Sequence, residues 1–330
     1  FDREKFNPHA LAAVRQGSRE GTLLDVAASP EFISLLLQAM RNNVSTEALG
    51  YRLEFEATGT LANKPPKALG PIRQIETGHA STTVNVGDRY IIKIQRKLET
   101  GVDPEIEVGS FLSGVADFAN TPALLGTVKL VHGGHRTAIA SVHAFVQNQG
   151  DAWDVTSSYL DRFIDEQRLV TADAVASSDE LRSYQRYMAL AGKRVAEMQI
   201  ALASRDDIED FRPEAAEPDD VAHLIDDAVT RAKHLYDRLR RARPAMADGI
   251  ADLTDQVLSA EHQLYRNFEQ LLSSTPDWMK IRNHGNLHLA QMLVVKDDIF
   301  IINLEGEPHL PLAARRRKGP AARDVAGMIR

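Results

Sequence analysis

The chain has 330 residues, of which 43% are apolar and 26% are charged, and its net charge is −7. These values are typical of a globular protein with a sizeable core, built as one large domain or two lobes. The absence of cysteine excludes disulfides and thiolate metal sites. No apolar run approaches the roughly 20 residues that span a bilayer, and the N-terminus lacks a signal-peptide pattern. We therefore expect a cytoplasmic protein without a membrane partner, and the acidic net charge gives no support to a nucleic-acid partner.

The first half of the chain is rich in strand patterns. Residues 51–60 alternate between apolar and polar, and 81–96 contains two β-rich runs around a Gly87-Asp88 turn, which predicts a hairpin. Pro104, with acids beside it, marks a helix start. Residues 137–146 are predicted to form a buried strand.

Beyond Trp153 the pattern is almost entirely helical. Apolar residues at three- and four-residue spacing between 181 and 202 form one face of a helix. Two further long helices are predicted over 219–243 and 248–274, with Pro244 as the break between them.

This order predicts an α+β fold with two lobes, of the kind that kinases have. The β-rich, nucleotide-binding lobe with its N-terminal segment is assigned to 1–147, and the helical lobe with the catalytic loop to 148–330. The chain ends in an apolar, helix-like run, so we expect it to be a fragment of a longer protein.

Lys93 is the first candidate for chemistry, because phosphoryl transfer from ATP needs a cation on the phosphates and an acid to hold that cation. It lies in the apolar strand Y-I-I-K-I, where an unpaired ammonium is costly. We expect Glu107, on the helix that follows, to pair with it. Glu105 competes for this role, two positions away on a different helix face. The alternative is an edge-strand lysine that points to solvent.

The segment T-G-H-A-S-T-T at 77–83 could fold over phosphates through its backbone N–H groups and hydroxyls. A single glycine in a polar turn is a weak signal, and an ordinary hairpin loop is the competing interpretation.

The stretch N-H-G-N-L-H-L-A-Q holds the other polar candidates: His284, Asn286, His288 and Gln291. Zinc binding by the two histidines is not favoured, because Gly285 indicates a loop and no third ligand is evident. The apolar strand I-F-I-I-N-L then ends at Asn303. A loop–strand–turn–strand unit of this spacing would bring Asn286 and Asn303 to one cleft.

Several blocks of the sequence resemble maltokinases. K-I-R-N-H-G-N-L-H-L-A-Q-M-L is similar to their H-G-D-L-H-L-G-Q segment, and I-I-N-L-E-G-E-P to their D-F-E-G-E-P. Further similar blocks include K-L-E-T-G-V-D-P-E-I-E-V-G-S-F-L, F-V-Q-N-Q-G-D-A-W and A-A-R-D-V-A-G-M. They run in the family's order from about residue 17 to the end, and resemble most the maltokinase domain fused to trehalose synthase.

The resemblance implies an aminoglycoside-phosphotransferase-like kinase fold. It implies ATP and Mg²⁺ as cofactors and maltose as the acceptor, with maltose 1-phosphate and ADP as the products in trehalose and α-glucan metabolism. Trehalose synthase is the implied protein partner, either fused or in complex.

The resemblance also implies roles for individual residues. Lys93 and Glu107 would hold the nucleotide phosphates, and His284 would brace the catalytic loop. The other implied positions are Ser81, Thr82 and Thr83 in the phosphate loop, Phe145, Val146 and Gln147 in the hinge facing adenine, Asn286 at the catalytic aspartate, Gln291, Asn303 and Glu305 at the metal, and Arg315, Arg316 and Lys318 near the mouth of the cleft.

Asn286 and Asn303 stand where the family has aspartates, and this bears on activity. A neutral amide has no basicity comparable to a carboxylate, and Mg²⁺ is usually held by one or two carboxylates. Three interpretations follow: a catalytically degenerate domain that binds nucleotide or sugar or supports trehalose synthase, an engineered inactive kinase, or a working kinase with displaced acids. A kinase acting on another sugar is the alternative among enzymes.

Overall fold

The computed structural model describes residues 10–25, 27, 29–62, 69–77, 80–169, 178–272 and 275–329. The strands are β1 Ala10–Gln16, β2 Arg19–Leu24, β3 Ser45–Ala48, β4 Tyr51–Ala57, β5 Ile72–Thr77, β6 Ser81–Val86, β7 Tyr90–Gln95, β8 Leu124–His132, β9 His135–Ala144, β10 Glu214–Ala215, β11 Met279–Ile281, β12 Met292–Val295, β13 Asp298–Ile301 and β14 Gly319–Pro320. The helices are α1 Pro30–Arg41, α2 Gly59–Ala62, α3 Pro104–Gly114, α4 Ala152–Leu169, α5 Ser178–Leu202, α6 Pro218–Ala242, α7 Asp248–Ser259, α8 Glu261–Leu272, α9 Leu312–Arg315 and α10 Ala322–Ile329. None of these described helices combines the length and the apolar content needed to cross a bilayer.

The chain divides into two compact units. The first spans 1–204, 283–317 and 322–330, and the second spans 205–282 and 318–321. The first unit contains the large sheet and helices α1 to α5, and the second contains α6 to α8 with the small sheet β10-β11-β14. The lobe boundary at residue 147 is a different division and stays a prediction.

An antiparallel sheet dominates the first unit. Among the described residues it has seven strands, in the order β3-β4-β8-β9-β7-β6-β5. The hairpin predicted around Gly87-Asp88 is present as β6 and β7, and both turn residues have positive φ, +60° and +49°. A Cβ on Gly87 would lie 2.8 Å from the backbone nitrogen of Gly70, so this turn position requires glycine.

Helix α1 covers the sheet because its apolar residues recur on one face. Its first turn is capped by Ser29, whose hydroxyl accepts a hydrogen bond from the N–H of Phe32 at 3.3 Å. The buried residues of this face join a core with strands β6 to β9, and the main members are Ile33, Leu36, Leu37, Met40, Val84, Ile92, Val128 and Val142.

Helix α3 begins where the Pro104 signal predicts. The carboxylate of Asp103 caps it by accepting an N–H of the first turn at 3.2 Å. The buried face of this helix includes Glu105, Val108 and Leu112, which are spaced three and four residues apart. The helix therefore carries one acidic side chain into the core.

The β12–β13 hairpin is fixed by two segments of the first unit. Arg194 on α5 donates to both carboxylate oxygens of Asp298, at 2.7 and 2.8 Å. The side chain of Asn120 donates to the carbonyl of Ile299, and that of Thr121 to the carbonyl of Ile301. The bidentate, charge-assisted pair between Arg194 and Asp298 fixes the orientation of the hairpin as well as its position. The position of the turn that follows β13 is therefore fixed too.

In the second unit, α6 agrees with the helix predicted over 219–243, and it ends just before Pro244. The single helix predicted over 248–274 is wrong, because α7 ends at Ser259 and α8 begins at Glu261. The N–H of Ala260 donates to Val257 rather than continuing the helical pattern. Neither glycine nor proline marks this break, so periodicity alone extends the helix through it.

Two leucines of α1, two positions apart, provide a test of this core. Leu37 is 2% exposed, whereas Leu35 is 64% exposed. We expect Leu37→Ala to lower the free energy of unfolding by about 2–5 kcal/mol, because it leaves a cavity in the core. Leu35→Ala on the same helix should cost less than about 0.5 kcal/mol. Urea denaturation of both variants checks this, and equal costs would contradict the packing of α1.

Candidate functional site

A cleft of about 900 Å³ opens in the first unit. It is lined by residues of β6, β7 and β9, by the segment after β9 and by the turn after β13. The polar and charged lining residues include Thr83, Asn85, Lys93, Glu105, Thr121, His143, Gln147, Asp151, Asp154 and Asn303. A concave site with a few convergent polar groups is the usual setting for a small-molecule ligand.

Lys93 lies in the wall of this cleft and is paired with Glu105, not Glu107. Its Nζ donates to Oε1 of Glu105 at 2.5 Å, and the two side chains are 9% and 4% exposed. The pairing expected for Glu107 is therefore wrong, and so is the solvent-facing lysine. Glu107 instead accepts two hydrogen bonds from Arg316, at 2.9 and 2.5 Å.

Glu105 pairs with Lys93 because it lies on the buried face of α3. Glu105 shares the buried stripe of α3 with Val108 and Leu112, whereas Glu107 is two residues along and points about 200° away around the helix. The spacing of Glu105 from those two apolar residues is visible in the sequence. Counting apolar neighbours three and seven positions away would have favoured Glu105.

The charges around Lys93 depend on one another. Burial disfavours the ammonium, but Glu105 and then Glu305 outweigh it and keep the pKa of Lys93 above its usual value. Burial also opposes the Glu105 carboxylate, yet Lys93 and His143 hold the pKa of Glu105 below its usual value. Oε2 of Glu105 is buried without a hydrogen-bond partner among the described residues. Lys93 and Glu105 therefore form a buried ion pair in which both groups are charged.

His143 was not singled out from the sequence, although it contacts this pair. Its Nε2 lies 3.5 Å from Oε1 of Glu105 and 3.1 Å from Oγ of Ser141. Burial lowers the pKa of His143, with Lys93 adding to this effect and Glu105 opposing it. The imidazole is therefore neutral at neutral pH. Its position on β9, opposite Ile91 of β7, brings it to Glu105.

Asn303 joins Lys93 to the loop before β12. It has a positive φ of +60°, a conformation that asparagine adopts more readily than most residues. Its Oδ1 accepts from Nζ of Lys93 at 2.7 Å, and its Nδ2 donates to Oε1 of Gln291 at 2.5 Å. Nε2 of Gln291 is in turn 3.1 Å from Nε2 of His288. Gln291 and Asn303, predicted to share a site, are in direct contact.

The loop that carries Asn286 is fixed by a buried carboxylate. The backbone N–H groups of His284 and Gly285 donate to the two oxygens of Asp324, each at 2.9 Å. Nε2 of His284 lies 2.9 Å from the carbonyl of Ile302, beside Asn303. His284 is 1% exposed, and burial lowers its pKa. Its side chain therefore connects this loop to the turn after β13.

Helix α10 packs closely on the same loop. A Cβ on Gly327 would lie 2.2 Å from the carbonyl oxygen of Leu287, so no side chain fits there. Asp324 and Gly327 are three residues apart and lie on one helix face. Sequence reasoning did not identify either residue as part of the site. The D-V-A-G spacing was the available signal, since an acid and a glycine on one face suit close contact with a backbone.

Asn286 does not belong to the residues that line the cleft, whereas Asn303 does. The two loops do meet, because a Cβ on Gly285 would lie 3.4 Å from Cα of Gly306. The prediction that both amides line one cleft is therefore correct only for Asn303. The predicted loop–strand–turn–strand unit between them is present as β12 and β13.

The predicted phosphate loop is mostly strand. Ser81, Thr82 and Thr83 begin β6, and Gly78 and His79 lie outside the described residues. Only Thr83 of the three lines the cleft. Thr82 is fully buried, and its hydroxyl accepts a hydrogen bond from Arg96. Successive side chains of a strand face opposite sides, which separates Thr82 from Thr83.

The predicted hinge does line the cleft. Phe145, Val146 and Gln147 follow β9, and all three are lining residues. The carbonyl of Val146 accepts from Nδ2 of Asn148 at 2.9 Å, and the N–H of Phe145 donates to the backbone carbonyl of Arg89 at 2.9 Å. Their role towards adenine stays a prediction.

The three basic residues predicted near the mouth of the cleft, Arg315, Arg316 and Lys318, each bond to groups that are not lining residues. Arg315 donates to the carbonyls of Leu310 and Pro308, and Arg316 to Glu107. Lys318 belongs to the second unit, where it bonds to Glu214. Arg315, Arg316 and Lys318 are not among the residues that line the cleft, and their place near its mouth stays a prediction.

The residues predicted for Mg²⁺ do not make a good site for it. The side-chain oxygens of Gln291 and Asn303 already accept hydrogen bonds, and both groups are neutral. Glu305 is the only carboxylate of the three, and burial raises its pKa, with Lys93 opposing this and Glu105 adding to it. The described residues contain no group of three or more His, Cys, Asp or Glu placed to hold a metal ion.

Comparisons with known proteins identify a relative among sugar kinases. No family model matches the chain. The chain is 26% identical over 265 residues to the glucosamine kinase of Streptacidiphilus jiangxiensis. The matched region covers 78% of this chain and 52% of that protein. The chain thus spans about half the length of this curated relative.

Solved structures of glucosamine kinase share the fold. The complex with glucosamine, ADP and inorganic phosphate has a TM-score of 0.63 at 21% identity, and covers 96% of this chain and 65% of that one. Crystal form B has the same score and identity, with 97% and 69% covered. The chain therefore shares the α+β fold of these structures, and the predicted β-sheet N-terminal region and helical C-terminal part are confirmed.

The Lys93–Glu105 pair gives the first prediction for the site. Glu105→Gln should lower the free energy of unfolding by about 3–5 kcal/mol, because it removes the main counter-charge of a buried ammonium. Glu107→Gln is the matched control on the same helix, and should cost no more than about 1.5–3 kcal/mol. Urea denaturation measures both, and a larger loss in Glu107→Gln would contradict the assigned partner.

His143 gives a pH-dependent prediction. Its folded-state pKa lies below the unfolded value of about 6.5, so the unfolded chain binds the proton first as the pH falls. The stability from neutral His143 is present above about pH 6.5 and is lost below it. His143→Gln should therefore show a smaller loss of thermal stability between about pH 7.5 and 5.5. The exposed His135→Gln should retain the original pH dependence, and an unchanged profile in His143→Gln would contradict the assignment.

Proposed function

We propose that this chain is a sugar-kinase domain that binds ATP in the cleft and transfers its phosphoryl group slowly. The observation that carries the proposal is the buried Lys93–Glu105 pair in the wall of a cleft of about 900 Å³. A lysine held by an acid beside such a cleft is the arrangement that phosphoryl transfer requires for the nucleotide phosphates.

The lining residues support a nucleotide as the ligand. The apolar side chains of Ile91, Val146, Leu293 and Ile302 face the cleft and suit the flat surface of a purine. Lys93, on the same wall, suits the phosphates. A glucosamine kinase of the same fold was solved with ADP bound, which is consistent with this assignment.

Two acceptor sugars have support. The sequence resemblance to maltokinases favours maltose, whereas the curated relative and the similar structures are glucosamine kinases. Both reactions transfer the γ-phosphoryl group of ATP to a sugar hydroxyl, so the cleft is consistent with either. Maltose is the acceptor that the motif blocks favour.

Asn286 is the reason to expect slow transfer. By resemblance it stands at the position of the catalytic aspartate, and an amide cannot accept the proton of the sugar hydroxyl as a carboxylate does. Loss of a general base typically costs about 10²–10⁴-fold in rate. The loop itself is held in place by Asp324 and His284, so we expect the missing base, and not a displaced loop, to limit the rate.

The proposal is tested by ATP binding and by ADP release. Isothermal titration calorimetry should detect ATP binding to the unmodified chain, and Lys93→Met should abolish it, because the phosphates lose their cation. Lys97→Met is the matched control, since Lys97 is an exposed residue just beyond β7 that pairs with Glu99. ADP release is measured with maltose and with glucosamine, on the unmodified chain and on Asn286→Asp.

We expect little ADP release from the unmodified chain and an increase of about 10²-fold or more in Asn286→Asp with one of the two sugars. The sugar that stimulates release identifies the acceptor. Absence of ATP binding would refute the nucleotide site. Fast turnover by the unmodified chain would refute the expectation of slow transfer.

Trehalose synthase is the protein partner that the maltokinase resemblance implies. The proposal extends to this partner only if maltose is the acceptor. Sedimentation of the full-length protein with purified trehalose synthase tests it, and two independent boundaries would count against the association.

A further inference from the structure

The metal dependence of the cleft follows from a chain of hydrogen bonds, and this inference rests on the proposed ATP site. Three contacts run in sequence through the wall: Nζ of Lys93 to Oδ1 of Asn303 at 2.7 Å, Nδ2 of Asn303 to Oε1 of Gln291 at 2.5 Å, and Nε2 of Gln291 to Nε2 of His288 at 3.1 Å. Each link has one donor and one acceptor.

The ammonium of Lys93 sets the direction of this chain. A lysine has only donors, so the atom of Asn303 that faces it is the oxygen, and the amide nitrogen then faces Gln291. Gln291 in turn presents its oxygen to Asn303 and its nitrogen to His288. His288 therefore accepts through an unprotonated Nε2. The orientation of both amides is decided by the charge on one lysine.

At two of the three positions implied for Mg²⁺ the side-chain oxygen thus already accepts a hydrogen bond, and at the third, Glu305, burial raises the pKa of the carboxyl. Oδ1 of Asn303 accepts from a cation, and Oε1 of Gln291 accepts from an amide. A divalent cation on Oδ1 would be placed next to the ammonium of Lys93, and like charges at that separation repel strongly in a buried site. Neither amide brings a negative charge to offset this repulsion, and Mg²⁺ loses its hydration water reluctantly.

Asn303, which stands where the resemblance implies an aspartate, favours an anionic ligand that binds without metal. An amide at position 303 removes one negative charge from beside Lys93, so a phosphate meets less repulsion there than it would beside a carboxylate. Asn303 also has two N–H groups, of which Gln291 takes one. We infer that the cleft binds ATP without a divalent cation, with Lys93 and the amide of Asn303 taking the place of the metal.

The test compares ATP affinity in excess Mg²⁺ with affinity in excess EDTA, by isothermal titration calorimetry on the full chain. We expect the unmodified chain to bind at least as tightly in EDTA as in Mg²⁺. Asn303→Asp should bind ATP at least about tenfold more tightly in Mg²⁺ than in EDTA, because a carboxylate has a second oxygen for the metal while the first accepts from Lys93.

Asn42→Asp is the charge-matched control, because Asn42 is exposed and is not a lining residue of the cleft. It should keep the metal independence of the unmodified chain. If Asn303→Asp does not fold, Gln291→Glu supplies a carboxylate at the neighbouring oxygen and should create the same Mg²⁺ dependence.

The outcomes separate this inference from the proposed function. Binding that is about tenfold or more tighter in Mg²⁺ for the unmodified chain would overturn the inference and leave the ATP site standing. Binding in neither buffer would overturn both. Equal affinities in both buffers for Asn303→Asp and Gln291→Glu would overturn the role assigned to the amides.

Discussion

The buried ammonium of Lys93 is the constraint on which the rest of the site depends. A charged amine with 9% of its side chain exposed is tolerated only if other groups compensate it, since an unpaired buried charge is expensive. Glu105 supplies the counter-charge from α3, and Asn303 supplies a neutral acceptor from the turn after β13. One lysine therefore links a strand, a helix and a turn that are distant in sequence.

The groups that stabilise the charge of Lys93 also determine how the polar side chains in the wall of the cleft are oriented. The N–H groups of Lys93 orient the amide of Asn303, and Asn303 orients the amide of Gln291. The donor and acceptor positions are therefore set along the chain from the ion pair to His288. Hydrogen-bonded chains of this kind are rigid when every member is satisfied. The amides are thus part of a connected arrangement, and a carboxylate at either position would change its charge as well as its chemistry.

The loop around Asn286 has further contacts besides that arrangement. Asp324 holds two successive N–H groups at His284 and Gly285, and Gly327 allows α10 to lie against the backbone of Leu287. A loop with its N–H groups bound by a buried carboxylate has little freedom. The backbone of this loop is held in place while its residue 286 is an amide and not a carboxylate, which is why slow transfer is the function proposed.

Local patterns determined much of the fold. The Gly87-Asp88 hairpin, the helix start at Pro104 and the β12–β13 unit depend on turn, cap and alternation signals within a few residues. Tertiary structure decided the partner of Lys93, because the apolar spacing of Val108 and Leu112 favours Glu105 as the buried acid but does not tell which strand α3 packs against. It also decided the roles of His143 and Asp324, whose partners lie 38 to 40 residues away along the chain. A carboxylate acts over a few ångströms in space, and no spacing rule in one sequence reports which distant segments come within that range.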